Sequence, residues 1–319
     1  MTTQAPPFQF GTLQGDLGHA YVFAAEAIRQ ELEDKLDLLS MGVVPLVGDL
    51  AGSGSDVVRV TRVGSIGFGR RFTDLTNEDD AIPASSLTTG YDTVTIGMAG
   101  LAEEETYSQQ ILGREKGVTL DQLKALVPAS WLATWRYKLG VEASTWSQDV
   151  GAAGSNCDRD TFLDLLAEFD ETLGSDGVPT LVCKPLSWTR LSQSWAGHAA
   201  FQNSVVDFEK WVARNGRQDK GIRLGIRCLT TDDIQESGGA YLNYAFEPGA
   251  AGWAVANTSP VRPSNPQGAI YVPGFGLLIE EIASTGERGT RRYEARTWFG
   301  IDSLNDALAV KRRFLDKIA

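Results

Sequence analysis

Trp131, Trp135, Leu139, Ala143 and Trp146 fall four, four, four and three residues apart, and this spacing constrains the chain more than any other feature. Steps of three and four place side chains on one face of an α-helix. The pattern therefore predicts a helix of roughly 20 residues, ~30 Å long, with a single apolar stripe. No acid, base or nucleophile is interleaved with the tryptophans in a way that suggests a cofactor box, so the stripe reads as a packing spine. At 319 residues the chain has the length of about two domains and can bury a substantial core.

Upstream of the spine, a polar, Pro- and Gly-bearing start predicts a mobile arm over residues 1–15. Leu17, Tyr21, Ala24, Ala25, Ile28, Leu32, Leu36 and Leu39 then recur at helical spacing, predicting an amphipathic helix over 16–40, ended near Gly42. Its charged side, from Glu26 to Asp37, reads as a solvated face. Val57–Val63 and Tyr91–Ile96 are β-branched runs that can pair as the arms of one long hairpin. Between them, 64–90 is long for a loop and rich in charge. Two readings stay open for it: a flexible surface excursion, or a segment that folds when docked on a neighbouring subunit.

Glu103–Leu112 and Thr119–Leu126 read as helices, and Pro128 can begin another, since its missing N–H is not needed at a first helical position. Gly151–Gly154 is a candidate boundary. After it, Asp158 or Asp160 can cap a helix burying Phe162, Leu165, Leu166, Phe169 and Leu173, stopped at Gly174. Pro179–Cys183 is extended. Asn203–Arg214 is helical, with Val205, Phe208, Trp211 and Val212 inward, and alternation from Ile222 to Leu229 predicts one half-buried strand. Glu247–Gly268 reads as loop. Ile270–Val272, Leu277–Ile282 and Tyr293–Phe299 read as strands, the last two as a hairpin with its turn at 284–289. Ser303–Ile318 has near-helical spacing and a basic end that suits a helix C-terminus.

Chemistry has little to draw on. The two histidines, His19 and His198, lack metal-ligand or triad spacing, so no metal site is expected. Cys157, Cys183 and Cys228 form neither a disulfide framework nor a zinc pair; Cys183 and Cys228 sit in apolar strand patterns as small inert hydrophobes. No phosphate-binding glycine motif is present, and no cofactor is expected. The carboxylate runs Glu103–Glu105 and Asp232–Asp233 select no acid–base pair and read as solvated faces and capping charges. The net charge of −12 opposes non-specific nucleic-acid binding. The start lacks a basic segment followed by an apolar run, and no stretch reaches the ~18 apolar residues of a membrane span, so neither secretion nor membrane insertion is expected.

Two passages and the order of elements carry a resemblance. Ala81–Gly97 (AIPASSLTTGYDTVTIG) looks like the returning arm of an extended loop, and Tyr293–Asp302 (YEARTWFGID) like a late strand with an aromatic-Gly-aliphatic step. With these, the chain resembles the major capsid proteins of tailed bacteriophages, which have the Hong Kong 97-like fold. The resemblance implies an α+β subunit with residues 1–55 as N-terminal arm and 56–100 as extended β-hairpin loop. A peripheral domain would comprise 101–153, with the spine helix, and 261–319; 154–260 would be the axial domain. It further implies a non-enzymatic, self-assembling subunit of an icosahedral phage head around double-stranded DNA, built in the bacterial host cytoplasm. Expected partners are copies of itself as hexamers and pentamers, together with portal, scaffold and decoration proteins, and packaged DNA held without sequence-specific binding. Membranes are not among them.

Within the loop, Phe68, Phe72 and Ile82 beside Arg70, Arg71, Asp74, Glu78, Asp79 and Asp80 can supply apolar anchoring and charge complementarity, and are the candidate subunit-contact residues. No lysine occurs between Asp56 and Glu115, so a lysine-to-asparagine cross-link from the loop, found in some members, has no donor. Two alternatives remain. One is a nanocompartment shell of the same fold, packaging protein cargo; the other, from a different class, is a cytosolic carboxylate-based hydrolase.

Overall fold

The computed structural model describes residues 25–33, 44–49, 56–63, 89–105, 119–170, 178–196, 219–223, 225–256, 269–272, 274–282, 291–304 and 310–318. Residues 25–33 are helical (α1). The chain then runs through β1 (Leu46–Asp49), β2 (Val57–Val63), β3 (Thr89–Thr95), β4 (Gly97–Glu105), α2 (Thr119–Ser144), β5 (Asp149–Val150), α3 (Arg159–Asp170), β6 (Thr180–Cys183) and α4 (Pro185–Ala196). After α4 come β7 (Asp219–Arg223), β8 (Ile226–Thr230), β9 (Glu236–Ser237), β10 (Ala240–Phe246) and β11 (Ala251–Val255). The last strands are β12 (Ile270–Val272), β13 (Leu277–Ile282), β14 (Arg291–Ser303) and β15 (Lys311–Lys317).

The tryptophan helix is the central element. Trp131, Trp135, Leu139, Ala143 and Trp146 are all buried, as their spacing requires. The helix α2 is longer than expected: 26 residues, about 39 Å at 1.5 Å per residue. It also runs straight through Pro128, which therefore begins no separate helix. Proline there denies the Lys124 carbonyl its N–H donor, a loss of ~3 kcal/mol in a helix interior. Burial of the adjacent Val127 and of Trp131 and Leu132 on the next turn offsets it at about 1.5–3 kcal/mol per large side chain.

The stripe spans two sheets. At its N-terminal end Trp131 meets Trp253 and Phe299 of the first sheet, at centroid distances of 6.0 and 5.0 Å, and Phe275 in the turn between β12 and β13, at 5.3 Å. At the other end Trp146 meets Tyr244 and Phe246 of the second at 5.9 and 5.8 Å. The first sheet has the order β1-β11-β14-β13-β12, with β4 also paired to β14; the second has β5-β15-β10-β6-β8-β7, with β9 on β10. The second sheet draws β5 and β15 from outside 154–260, and the first draws β11 from within it. On the side away from α2, the second sheet is covered by α3 and α4 through Phe162, Leu165, Phe169, Trp188, Leu191 and Trp195. Asp158 caps α3, its Oδ1 accepting the Thr161 N–H at 2.9 Å. The first sheet's far face carries a third apolar cluster, Val58, Val94, Ile96, Ala254, Trp298 and their neighbours. There the β2–β3 ribbon lies.

Several expectations are corrected. Glu103–Glu105 belong to β4, not to a helix: in the ladder they pair with Tyr293, Arg292 and Arg291. The alternation from Ile222 to Leu229 is a tight hairpin, β7 against β8, turned at Gly225 with φ +87. Loop assignment fails at Ala251–Val255, where small residues form a buried strand between β1 and β14. A Cβ on Gly252 would lie 2.7 Å from the Val47 side chain, so close strand approach explains the small residues. Most consequentially, the described residues of Ser303–Ile318 are not helical. Residues 311–317 form β15, paired over seven residues with β10. Phe314, Leu315 and Asp316 are consecutive and all buried, because both faces of this strand are covered. The expected helix at 203–214, the remainder of those at 16–40 and 103–112, Leu173, Gly174 and the turn at 284–289 lie outside the described residues.

Candidate functional site

The candidate contact residues Phe68, Arg70, Arg71, Phe72, Asp74, Glu78, Asp79, Asp80 and Ile82 lie outside the described residues, as do His19 and His198. The ribbon from which the 64–88 segment springs is described. Its arms pair antiparallel from Val57↔Thr95 to Val63↔Thr89, which is the long hairpin expected from the two β-branched runs. Period-2 alternation gives it two unlike faces. Val58 and Val94 are buried on the first sheet, whereas Arg59, Tyr91, Thr93 and Thr95 are exposed. Ile96 continues the buried side and donates its N–H to the Asp56 carbonyl at 2.7 Å, closing the root of the ribbon.

Beneath that root β14 changes partners. Phe299 pairs with Gly97 of β4 on one side and Val255 of β11 on the other, and the following residue is Gly300. A Cβ at Gly300 would lie 1.9 Å from the Thr95 carbonyl oxygen and 3.2 Å from the Ile96 Cα. Only glycine allows two backbones to cross this closely, so the aromatic-Gly-aliphatic step of the sequence is the crossing point of hairpin and sheet.

Polar groups then fix the crossing. Thr95 N–H donates to Asp302 Oδ2 at 2.6 Å, and Lys138 of α2 donates to the Phe299 carbonyl at 2.7 Å, with its ammonium 4.1 Å from the centre of the Phe299 ring. Ser303 takes two bonds from the spine: its N–H donates to Glu142 Oε1 at 3.0 Å, and its hydroxyl accepts from Trp146 Nε1 at 2.7 Å. Lys311 of β15 donates to the Leu304 carbonyl at 3.3 Å. Burial, with Glu142 adding to it, raises the Asp302 carboxyl above its ordinary range, against the opposing pull of the Thr95 N–H and Lys138. Lys138 and Lys311 are lowered, in both cases chiefly by burial. No sequence pattern marks Lys138 or Glu142, whereas Gly300 and Asp302 stand in the passage YEARTWFGID without their partners being legible there. A glycine between an aromatic and an aliphatic residue inside a strand pattern was the available signal for close backbone approach.

Other chemistry-bearing groups serve packing. All three cysteines are buried and none is joined in a disulfide. Burial, followed by the charge of Asp316, pushes the Cys157 thiol far up. A groove of about 120 Å³ between β4 and α2 is lined by Ala99, Leu101, Ser130, Trp131 and other residues with no titratable side chain. Asp233 Oδ2 accepts from the Thr231 hydroxyl at 3.3 Å, a local turn contact.

No protein-family model matches the sequence, and no curated protein matches it. Among solved structures, the capsid of Ralstonia phage GP4 is similar at TM-score 0.53 and 12% identity, over 86% of this chain and 86% of that one. The capsid of a native GTA particle aligns at TM-score 0.51 and 12% identity, over 100% of this chain and 96% of that one. An encapsulin complex from Synechococcus elongatus aligns at TM-score 0.51 and 9% identity, over 84% of each chain. These likenesses identify the architecture as the α+β Hong Kong 97-like capsid fold that the two sequence passages resemble.

Proposed function

We propose that this chain is the major capsid protein of a tailed phage, a self-assembling subunit of an icosahedral head enclosing double-stranded DNA. The observation that carries the reading is the extent of the likeness: 84–100% of the chain follows shell proteins over 84–96% of their own length. Assembly needs a rigid body from which a contact segment projects. Here α2 ties the two sheets into one body, and the β2–β3 ribbon leaves it from a root fixed at Gly300 and Asp302. Partners are other copies of the chain, as hexamers and pentamers, with portal, scaffold and decoration proteins as further candidates. An acidic wall, net charge −12, avoids adhering to the polyanion packed against it.

The contact segment is assigned to 64–88, with Phe68, Phe72 and Ile82 as apolar anchors and the neighbouring arginines and carboxylates as complementary charge. The proposed domain division is 1–55 arm, 56–100 extended loop, 101–153 with 261–319 peripheral and 154–260 axial, with β11 crossing into the peripheral sheet and β5 and β15 into the axial one. To test the assignment, 64–88 is replaced by Asn-Gly, a two-residue turn that closes the ribbon after its last pair, Val63↔Thr89. The shortened chain should stay folded and soluble while failing to close shells; normal shells would refute the assignment. A second reading, a nanocompartment shell around protein cargo, is favoured by the encapsulin likeness. Nuclease-protected DNA in shells from infected or induced cells supports the phage head, and a co-purifying enzyme supports the nanocompartment.

A further inference from the structure

The solvent side of α2 carries no charge over its described side chains. Its exposed positions are Leu126, Ala129, Ala133, Tyr137 and Val141, spaced three, four, four and four residues apart, with Leu126 49%, Tyr137 54% and Val141 38% exposed. A helix facing water normally places charge there, as α1 does with Glu26, Glu31 and Glu33 and α3 with Asp160, Asp164 and Asp170. The charged residues of this stretch of α2 turn to the body instead. Lys138 donates to the Phe299 carbonyl, Glu142 accepts the Ser303 N–H, and Arg136 is held in the field of Asp233. A second stripe, uncharged and exposed, thus runs opposite the tryptophan stripe. We propose that a second copy of the chain packs on it, with two α2 helices antiparallel about a two-fold axis beside Ala133.

Size pattern points to self-pairing. An antiparallel partner centred on Ala133 sets Ala133 against its own copy, Tyr137 against Ala129, and Val141 beside Leu126, so each large side chain meets a small one or a helix end. Alanine at the crossing lets the axes approach to about 8 Å. At ~100° per residue, Tyr137 and Val141 lie on the same side of Leu126 as Ser130 and Thr134, which line the groove between α2 and β4. A two-fold axis between the helices keeps like sides together, so the second copy's Tyr137 leans over that groove. Its 120 Å³ compares with the ~150 Å³ cavities that accept a benzene ring. Charge points the same way: two chains of net charge −12 repel, and a face without charge is where copies meet at least cost. Area sets the strength. A face ~22 Å long on a helix ~10 Å across presents on the order of 220 Å², well below the ~800 Å² per partner of an interface that stands alone. The pairing therefore forms between copies that other contacts already hold close, and in this it rests on the self-assembly proposed above.

Cysteine cross-linking of assembled particles of the full chain tests the pairing and its register. The three native cysteines are buried and offer no competing thiol. Ala133→Cys, oxidised with copper–phenanthroline, should give a disulfide dimer as the main product on a non-reducing gel. Particles assembled from a mixture of Ala129→Cys and Tyr137→Cys chains should also give a dimer. Ala129→Cys alone should give none, since its two copies would stand eight residues, ~12 Å, apart along the helices, beyond the ~7 Å reach of a disulfide. Particles in which Ala133→Cys stays monomeric, or in which Ala129→Cys alone cross-links as readily, would overturn this pairing and leave self-assembly standing. Failure to form particles at all would overturn both.

Discussion

Replacing Gly300 by alanine should detach the hairpin root from the subunit body. The backbone at Gly300 is not in the left-handed region, so the effect comes from space alone. The new methyl would sit 1.9 Å from the Thr95 carbonyl oxygen and 2.6 Å from its carbonyl carbon, both backbone atoms that no rotamer change can move. Restoring tolerable contact requires a shift of at least about 1 Å, comparable to what overpacked sites absorb at about 1–3 kcal/mol. That shift also stretches the 2.6 Å bond from Thr95 to Asp302, and a hydrogen bond to a charged group contributes about 1.5–3 kcal/mol. The combined expectation is about 3–5 kcal/mol, a large part of the 5–15 kcal/mol typical of a folded domain. Guanidinium denaturation measures it as a lowered midpoint, and exchange of the 91–97 peptide shows where protection is lost. Gly154→Ala is the control, since a Cβ there meets nothing within 4 Å; it should change stability by less than about 0.5 kcal/mol. If the two variants unfold at the same midpoint, the crossing does not need glycine and this account of the hairpin root is wrong.

Two further outcomes are expected. Asp316 is fully buried and accepts from Ser187 Oγ at 2.7 Å, Arg190 Nη1 at 2.9 Å and the Cys157 N–H at 2.8 Å, so Asp316→Ala strands the Ser187 hydroxyl and the Cys157 N–H, leaves Arg190 only the Lys317 carbonyl, and should destabilise by about 3–5 kcal/mol in the same denaturation assay. A loss below about 1 kcal/mol would show that the C-terminal strand does not depend on this network. Cys157, Cys183 and Cys228 are buried, and Cys157 resists ionisation, so at about pH 8 a disulfide reagent should modify none of them in the folded chain and all three after denaturation. Fast modification of any one in the folded chain would contradict the burial described.

The parts of the fold legible in the sequence are those whose burial is one-sided. The tryptophan stripe, the α3 face of Phe162, Leu165 and Phe169, and the β2–β3 pairing each leave one polar side, so periodicity reports them. Where both sides are covered the signal disappears. The strand β15 lies among other strands with Phe314, Leu315 and Asp316 all enclosed, and its leucine spacing imitates a helix. The alanines and glycine of β11 look like loop because close strand contact, not apolar mass, selects them. The β4 glutamates read as a helical surface until arginines are found opposite them on β14. For the hairpin root, the sequence displayed Phe299-Gly300-Ile301-Asp302, but what Gly300 crosses and what Asp302 accepts lie about 200 residues earlier in the chain, beyond the reach of any local pattern.

The central claim is that this chain closes into shells, and electron microscopy of the purified protein paired with sedimentation velocity tests it most directly. Closed or partial icosahedral particles, sedimenting far ahead of a 34.5 kDa chain, are the predicted result. A uniform small oligomer with no particles, across varied salt and protein concentration and with co-expressed scaffold candidates, would contradict it.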